Sequence, residues 1–294
     1  MPMPTTRGLS ASVLALALAG CTSPPHSAQS GPAYDLIIRN GVVYDGSGAA
    51  PQHVDIGVRG DRIAALLPRG SDAPAARTLD AHGQAVSPGF INMLSWANES
   101  LITDGRGMSD TKQGVTLEVM GEGWSMGPFN LKMKQDAVDQ EGDIRYPIEW
   151  TTLGEYLDYL QTRGVTPNVA SFVGATTVRI HELGEDDVKP DAQQLARMQD
   201  LVRQAMREGA LGVGASIIYP PASFADTHEL TALAQAAAES GGGYIAHMRS
   251  EADRLLEAVD ENIAIGRATG QRAETYHLKA AGEKNWPKMA QAIA

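Results

Sequence analysis

Cysteine is all but missing from this 294-residue chain: Cys21 is the single one, so no intrachain disulfide can form. A surplus of positive charge is missing too. Lys and Arg number 24 against 35 Asp and Glu, the formal net charge is -11, and no basic cluster interrupts that balance. Binding to a phosphate backbone depends on cation neutralisation, so nucleic acid is not an expected partner. The apolar stretch from Val13 to Gly20 is too short for a membrane-spanning helix, which needs about 20 residues. HExxH, the P-loop and the GxSxG elbow are absent, which removes three well-marked hydrolase chemistries. What remains is ample apolar content, 43% of residues, enough to bury at least one large core.

Arg7 followed by the Leu/Ala-rich stretch has the layout of a signal peptide, a basic region ahead of an apolar one. Leu18-Ala19-Gly20-Cys21 resembles a bacterial lipobox. That resemblance implies a signal peptide over 1–20, lipidation of Cys21 as the mature N-terminus, and a lipid anchor in the cell envelope. Thr22, in place of Asp after the cysteine, points to the periplasmic side of the outer membrane. Pro24, Pro25 and neighbouring serines then predict a flexible linker over 21–33.

From Tyr34 the pattern turns to strands. Asp35 to Arg39, then Asn40-Gly41, then Val42 to Tyr44 predicts a hairpin with a type I′ turn, and Val54, Ile56 and Val58 alternate ahead of a Gly60-Asp61 turn. Residues 34–84 are therefore expected to form a small antiparallel sheet that is not part of the barrel. Beyond it, over 85–294, strand and helix alternate. Strands are predicted at Phe90 to Leu94, Val115 to Met120, Val169 to Val173, Leu211 to Ile218, Tyr244 to His247 and Glu274 to Leu278. Helical periodicity occupies Leu153 to Gln161, Ala192 to Glu208, His228 to Glu239 and Glu251 to Ala268, the last with Leu255, Val259, Ile263 and Ile265 as its core stripe. The fold class is α/β, a (β/α)8 TIM-like barrel of which about six units are present before Ala294. A complete barrel needs two more, so the chain is expected to be truncated.

Two predicted strands carry a histidine near their ends: Gly243 to Arg249 with His247, and Arg272 to Lys279 with His277. Side chains at the carboxyl ends of barrel strands converge on one face, so the two imidazoles can reach one ion. A catalytic zinc usually takes three protein ligands and a water whose pKa falls to about 7, fit to attack an amide.

The segments YDLIIRNGVVYDGSG, AVSPGFIN, GALGVGASIIYPP, HMRSEADRLLEAVDE and HLKAAG resemble the amidohydrolase superfamily, specifically its N-acyl-D-amino-acid deacylase (D-aminoacylase) group, from Tyr34 onward. The resemblance implies a metal-bearing barrel beside a small β-sandwich, and hydrolysis of a linear amide that releases a carboxylate and a D-amino acid. It implies that His247 and His277 hold zinc. Two departures stand out. Leu94 and Trp96 occupy the places of the family's His-x-His pair, so a second metal held there is not inherited. The family segment GVTTVVVGNCG reads here as Gly114 to Trp124 without the cysteine and one residue shorter by Pro128, so Glu122 falls on either the Asn or the Cys position. Glu122, His247 and His277 then form a one-zinc set like that of N-acetylglucosamine-6-phosphate deacetylases. The family's general base, an aspartate on strand eight, has no counterpart among these residues.

For an acylated amino acid as substrate, Arg249 and Lys279 are candidates to pair with its carboxylate, each two residues after a histidine and so on the same strand face; the alternative is an ion pair at the barrel mouth. Tyr219 resembles a substrate-facing tyrosine of the family, and Arg179 is a further candidate. Trp96 and Trp124 either fill the vacated second-metal volume or serve as core aromatics. The competing function is a non-catalytic or truncated binding protein of the same fold.

Overall fold

The computed structural model describes residues 33–294. The expected signal peptide, Cys21 and all but the last residue of the expected linker lie outside the described residues. Those described divide between Pro88 and Gly89 into two compact units.

The first unit contains β1 (Tyr34–Arg39), β2 (Val42–Val43), β3 (Val54–Arg59), β4 (Arg62–Pro68), β5 (Ala75–Asp80) and β6 (Ala85–Val86). Its main sheet runs in the order β4-β3-β1-β5. The turn at Gly60-Asp61 closes β3 onto β4 with Arg59 opposite Arg62, and Gly60 takes the positive φ of 57° that the tight turn requires. The hairpin expected at Asn40-Gly41 does not form. Asn40 has φ 58°, but β1 pairs antiparallel with β3 and parallel with β5, while β2 pairs with β6. A type I′ turn needs positive φ at both central residues, and only Asn40 supplies it; the sheet is mixed, not antiparallel. Ile37 and Ile56 fill the interior, and the buried Asp55 carboxylate ties the loops by accepting from the amides of Asn40, Gly70 and Ser71.

The second unit has the β/α rhythm. Its strands are β7 (Phe90–Asn92), β8 (Val115–Met120), β9 (Asn168–Ser171), β10 (Val173–Gly174), β11 (Gly212–Ser216), β12 (Gly243–His247) and β13 (Ala273–Thr275). All pairings are parallel, in the runs β7-β8-β9 and β10-β11-β12-β13. The helices are α1 (Ser100–Thr103), α2 (Met108–Thr111), α3 (Leu131–Asp139), α4 (Leu153–Arg163), α5 (Ala175–Leu183), α6 (Ala192–Arg207), α7 (Thr227–Ala238), α8 (Leu255–Thr269) and α9 (Met289–Ile293). This is the α/β architecture of a (β/α)8-type barrel. Among the described residues no helix is long and apolar enough to cross a membrane.

Local chemistry sets the helix ends. Thr152 and Glu155 form a capping box on α4, Asp191 and Gln194 another on α6, and the Asp226 carboxylate accepts from the Glu229 amide at the start of α7. Alternation along the strands separates two apolar layers. Val213, Ala215, Tyr244 and Ala246 face the helix layer with Val178, Met198, Val202, Leu230 and Leu233, whereas Val119, Phe172, Ile245 and Tyr276 form a separate cluster. Strand sides therefore assign His247, next but one to Ile245, to the side away from the helices.

Helices α3 and α5 were not expected from the sequence, because they carry no clean apolar stripe: α5 buries Thr177 and Arg179 alongside Ala175 and Val178. In α8 the buried face is Leu255, Ala258, Asn262 and Ile265, and Ile263 is 41% exposed, because Asn262 fills a core position with its amide donating to the Glu274 carbonyl and Thr275 hydroxyl.

Candidate metal centre

Strand β8 ends at Met120, and the chain turns through Gly121-Glu122-Gly123. Both glycines have positive φ, 100° and 76°. A Cβ on Gly121 would lie 2.3 Å from the Phe172 carbonyl oxygen, and one on Gly123 would lie 2.6 Å from Ser216. Only glycine allows this turn to press against the neighbouring strand ends, and the turn delivers the buried Glu122 side chain to them.

His247 is the last residue of β12. His277 was expected inside a strand, yet β13 ends at Thr275, and His277 has φ 36°, a left-handed value that extended backbone cannot accommodate. The turn brings the imidazole back over the strand ends. Glu122 Oε1 lies 3.1 Å from His247 Nδ1 and 3.1 Å from His277 Nε2. The two rings are nearly perpendicular, with centroids 4.5 Å apart.

These three groups are the one His/Cys/Asp/Glu cluster with convergent ligand atoms among the described residues, all within 4.8 Å of one another. Tetrahedral zinc with bonds of about 2.0–2.1 Å separates its ligand atoms by roughly 3.3–3.4 Å. The two Glu122-to-imidazole spacings fit such an ion after outward shifts of a few tenths of an ångström, and two imidazoles with one carboxylate suit zinc chemically. Glu122 and His247 are buried, whereas the His277 side chain is 29% accessible, leaving an entry path.

A second carboxylate, Glu251, takes the outer face of the same histidines. Its Oε1 lies 3.3 Å from His247 Nε2 and 3.2 Å from His277 Nδ1, and it also pairs with the Lys279 ammonium. Lys279 Nζ lies 2.9 Å from His277 Nδ1. The partners assign tautomers without an ion: Nδ1–H on His247 and Nε2–H on His277 both donate to Glu122, and Lys279 donates to His277 Nδ1. His247 Nε2 is buried without a hydrogen-bond partner, because its contact with Glu251 at 3.3 Å is an ion-pair distance without hydrogen-bond alignment. Metal ligation through the nitrogens that face Glu122 needs the opposite tautomers, which puts a proton on each nitrogen of the Glu251 side and requires Lys279 to withdraw its bond from His277 Nδ1; a carboxylate on that side is the kind of partner that orients metal-ligating imidazoles. Glu251→Gln is therefore expected to weaken zinc binding by about 10–100-fold. Competition against a chelator reads this directly, and unchanged affinity would remove Glu251 from the site.

The site opens on a cavity of about 530 Å³ lined by Leu94, Trp96, Trp124, Tyr219 and Lys279 together with the three candidate ligands and further small residues. Trp96 turns its indole N–H onto Glu122 Oε2 at 3.0 Å, Trp124 packs on Phe129 with centroids 5.8 Å apart, and the Tyr219 ring stands edge-on to His247 at 5.4 Å. Two cations expected here are placed elsewhere. Strand β12 stops at His247, so alternation no longer governs Arg249; its guanidinium forks onto Glu261 at 2.9 Å and donates to the carbonyls of Ser223 and Ala225. Arg179 is 1% exposed within α5, bonded to Glu229 at 2.6 Å and to the Val188 carbonyl. Neither lines the cavity.

Sequence reasoning missed two participants. Glu251 lies within the HMRSE segment, four residues after His247, in irregular backbone where no period gives its direction. The bond from Trp96 to Glu122 had no sequence signal beyond the position of Trp96. A further buried carboxyl, Glu118, does not line the cavity; burial raises its pKa, opposed by hydrogen bonds from Ser95 and Asn92.

No protein-family model matches the chain. A D-aminoacylase from Alcaligenes xylosoxydans xylosoxydans is 32% identical over 264 residues, and an N-acyl-D-glutamate deacylase from the same organism is 34% identical over 263; each match covers 88% of this chain. A D-aminoacylase crystal structure superposes with a TM-score of 0.78 at 32% identity, covering 88% of this chain and 55% of that one. Over most of its length the chain is thus similar to D-aminoacylases and N-acyl-D-amino-acid deacylases, and it shares the fold of an amidohydrolase. It spans about half the length of the relatives it matches, 54% and 53% of the two enzymes. An N-acyl-D-glutamate deacylase from Bordetella bronchiseptica, TM-score 0.77 and 31% identical over 88% of this chain and 54% of its own, was solved with zinc and a phosphonate mimic of the tetrahedral intermediate. For D-aminoacylase itself, a binuclear centre is described with one-metal activation and second-metal attenuation.

Proposed function

We propose that this chain carries the metal-holding part of an N-acyl-D-amino-acid amidohydrolase, with one zinc ion held by Glu122, His247 and His277. The observation that carries the reading is the convergence of Glu122 Oε1 on both imidazole nitrogens at 3.1 Å beside an open cavity. Bound zinc supplies a Lewis acid and a water acidified to a pKa of about 7. Leu94 and Trp96 offer no ligand on the side where relatives of this family place a histidine pair, which favours one ion.

The residues of this chain divide the remaining work. Glu251 orients the imidazoles and holds their outer protons. Lys279 is the one ammonium lining the cavity among the described residues, and it is the group available to pair with a substrate carboxylate. Leu94, Trp96, Trp124 and Tyr219 form apolar walls that suit an acyl group. An N-acyl amino acid has that composition, one apolar end and one anionic end. The relatives' names supply the D configuration.

Calorimetric titration tests the reading. The zinc-loaded chain is expected to bind an N-acetyl-D-amino acid such as N-acetyl-D-glutamate or N-acetyl-D-leucine, in preference to its L enantiomer, and to lose that binding after chelation. Equal binding with and without zinc, or binding in neither form, contradicts it.

A further inference from the structure

The two oxygens of Glu122 have separate partners. Oε1 faces His247 and His277, and Oε2 accepts the Trp96 indole N–H at 3.0 Å. Trp96 is 59% exposed, so its polar edge is turned inward while much of the ring remains in solvent, and Glu122 itself is only 8% exposed. A tryptophan side chain is a donor only; it can fix a carboxylate but cannot ligate a cation. A free carboxylate can chelate one ion through both oxygens or bridge two ions through one each, and both modes need Oε2. The indole bond occupies that oxygen, and Leu94 supplies no competing donor beside it.

We propose that Trp96 is a positioning residue that holds Glu122 as a single-oxygen ligand and so limits the centre to one ion of low coordination number. The proposal rests on the reading of Glu122 as a metal ligand. A neutral N–H stands where a second cation would otherwise neutralise Oε2. The bond also selects the rotamer that presents Oε1 to the two imidazoles, so the carboxylate need not be ordered at the moment the ion binds.

The experiment compares the unsubstituted chain, Trp96→Phe and Glu122→Ala by zinc titration against a chelator and by the visible spectrum with cobalt(II) in place of zinc. Phenylalanine retains an aromatic ring at a largely exposed position and removes only the donor edge, so folding is preserved; thermal unfolding without metal checks this. Trp96→Phe is expected to bind zinc about tenfold more weakly. Its cobalt absorption is expected to be weaker than in the unsubstituted chain, as Oε2 joins the ion and raises its coordination number. Glu122→Ala is expected to lose more affinity than Trp96→Phe. Zinc affinity and cobalt spectrum both unchanged in Trp96→Phe, with Glu122→Ala impaired, overturn the role of Trp96 while leaving Glu122 a ligand. Unimpaired binding by Glu122→Ala overturns the metal reading, and the role of Trp96 with it.

Discussion

Replacing His277 with alanine is expected to lower zinc affinity roughly 10²–10³-fold, because a four-ligand zinc site binds with about 10–16 kcal/mol, or about 2.5–4 kcal/mol per ligand. His247→Ala should fall in the same range. The His277 variant is the cleaner of the two. His277 lies beyond the end of β13, its side chain is partly open to solvent, and its φ of 36° is a conformation that no strand requires. Its removal leaves the apolar clusters intact but takes one partner from the buried Glu122 carboxylate, so stability without metal should fall by about 1–2 kcal/mol, with the fold retained. Chelator competition and thermal unfolding together separate lost ligation from lost folding. Zinc affinity retained by both single variants and by the double variant would exclude the histidines as ligands.

Glu229→Ala is expected to destabilise the chain by about 3–5 kcal/mol, because it leaves a buried guanidinium without its counter-charge. Arg179 and Glu229 have side-chain exposures of 1% and 3% and meet at 2.6 Å. Burial raises the pKa of the Glu229 carboxyl, and the Arg179 charge opposes that shift. For this carboxyl desolvation outweighs the attraction of its partner, and Arg179 Nε has no hydrogen-bond partner at all. Breaking it should be far worse than replacing it: Arg179→Met with Glu229→Leu should recover most of the loss, since apolar pairs of similar volume often match a buried ion pair. Denaturant unfolding reads both. A cost below about 1 kcal/mol for Glu229→Ala would mean that water reaches Arg179. Zinc binding should survive in the double variant, because neither residue lines the cavity.

Much of the fold was legible because strand–helix alternation and apolar periodicity are local signals. Val115 to Met120 matches β8, and the periodic stretch from Ala192 matches α6. What was hidden depended on distant partners. Asn40-Gly41 has the composition of a hairpin turn, yet β2 finds β6 and not β1, a choice made by residues some forty positions away. Arg249 lies two residues after His247, but the strand rule that would aim it at the site ends with β12. Arg179 has the chemistry to bind a carboxylate and meets one, Glu229, inside the protein.

The site shows the same division. His247 and His277 were visible as strand-end histidines, and Glu122 through the resemblance of Gly114 to Trp124 to the family segment that carries a metal ligand. Glu251 was not, although it touches both histidines, because its direction is set by the irregular backbone between β12 and α8. Trp96 was noted for what it replaces, whereas the structure gives it a partner of its own, the second oxygen of Glu122.

The most direct test of the whole account is the metal content of the purified chain after zinc loading and removal of excess ion, measured by atomic emission with protein quantified independently. One zinc per chain is expected, falling to near zero when Glu122, His247 and His277 are replaced together. Two ions per chain, or one that survives the triple replacement, would contradict it.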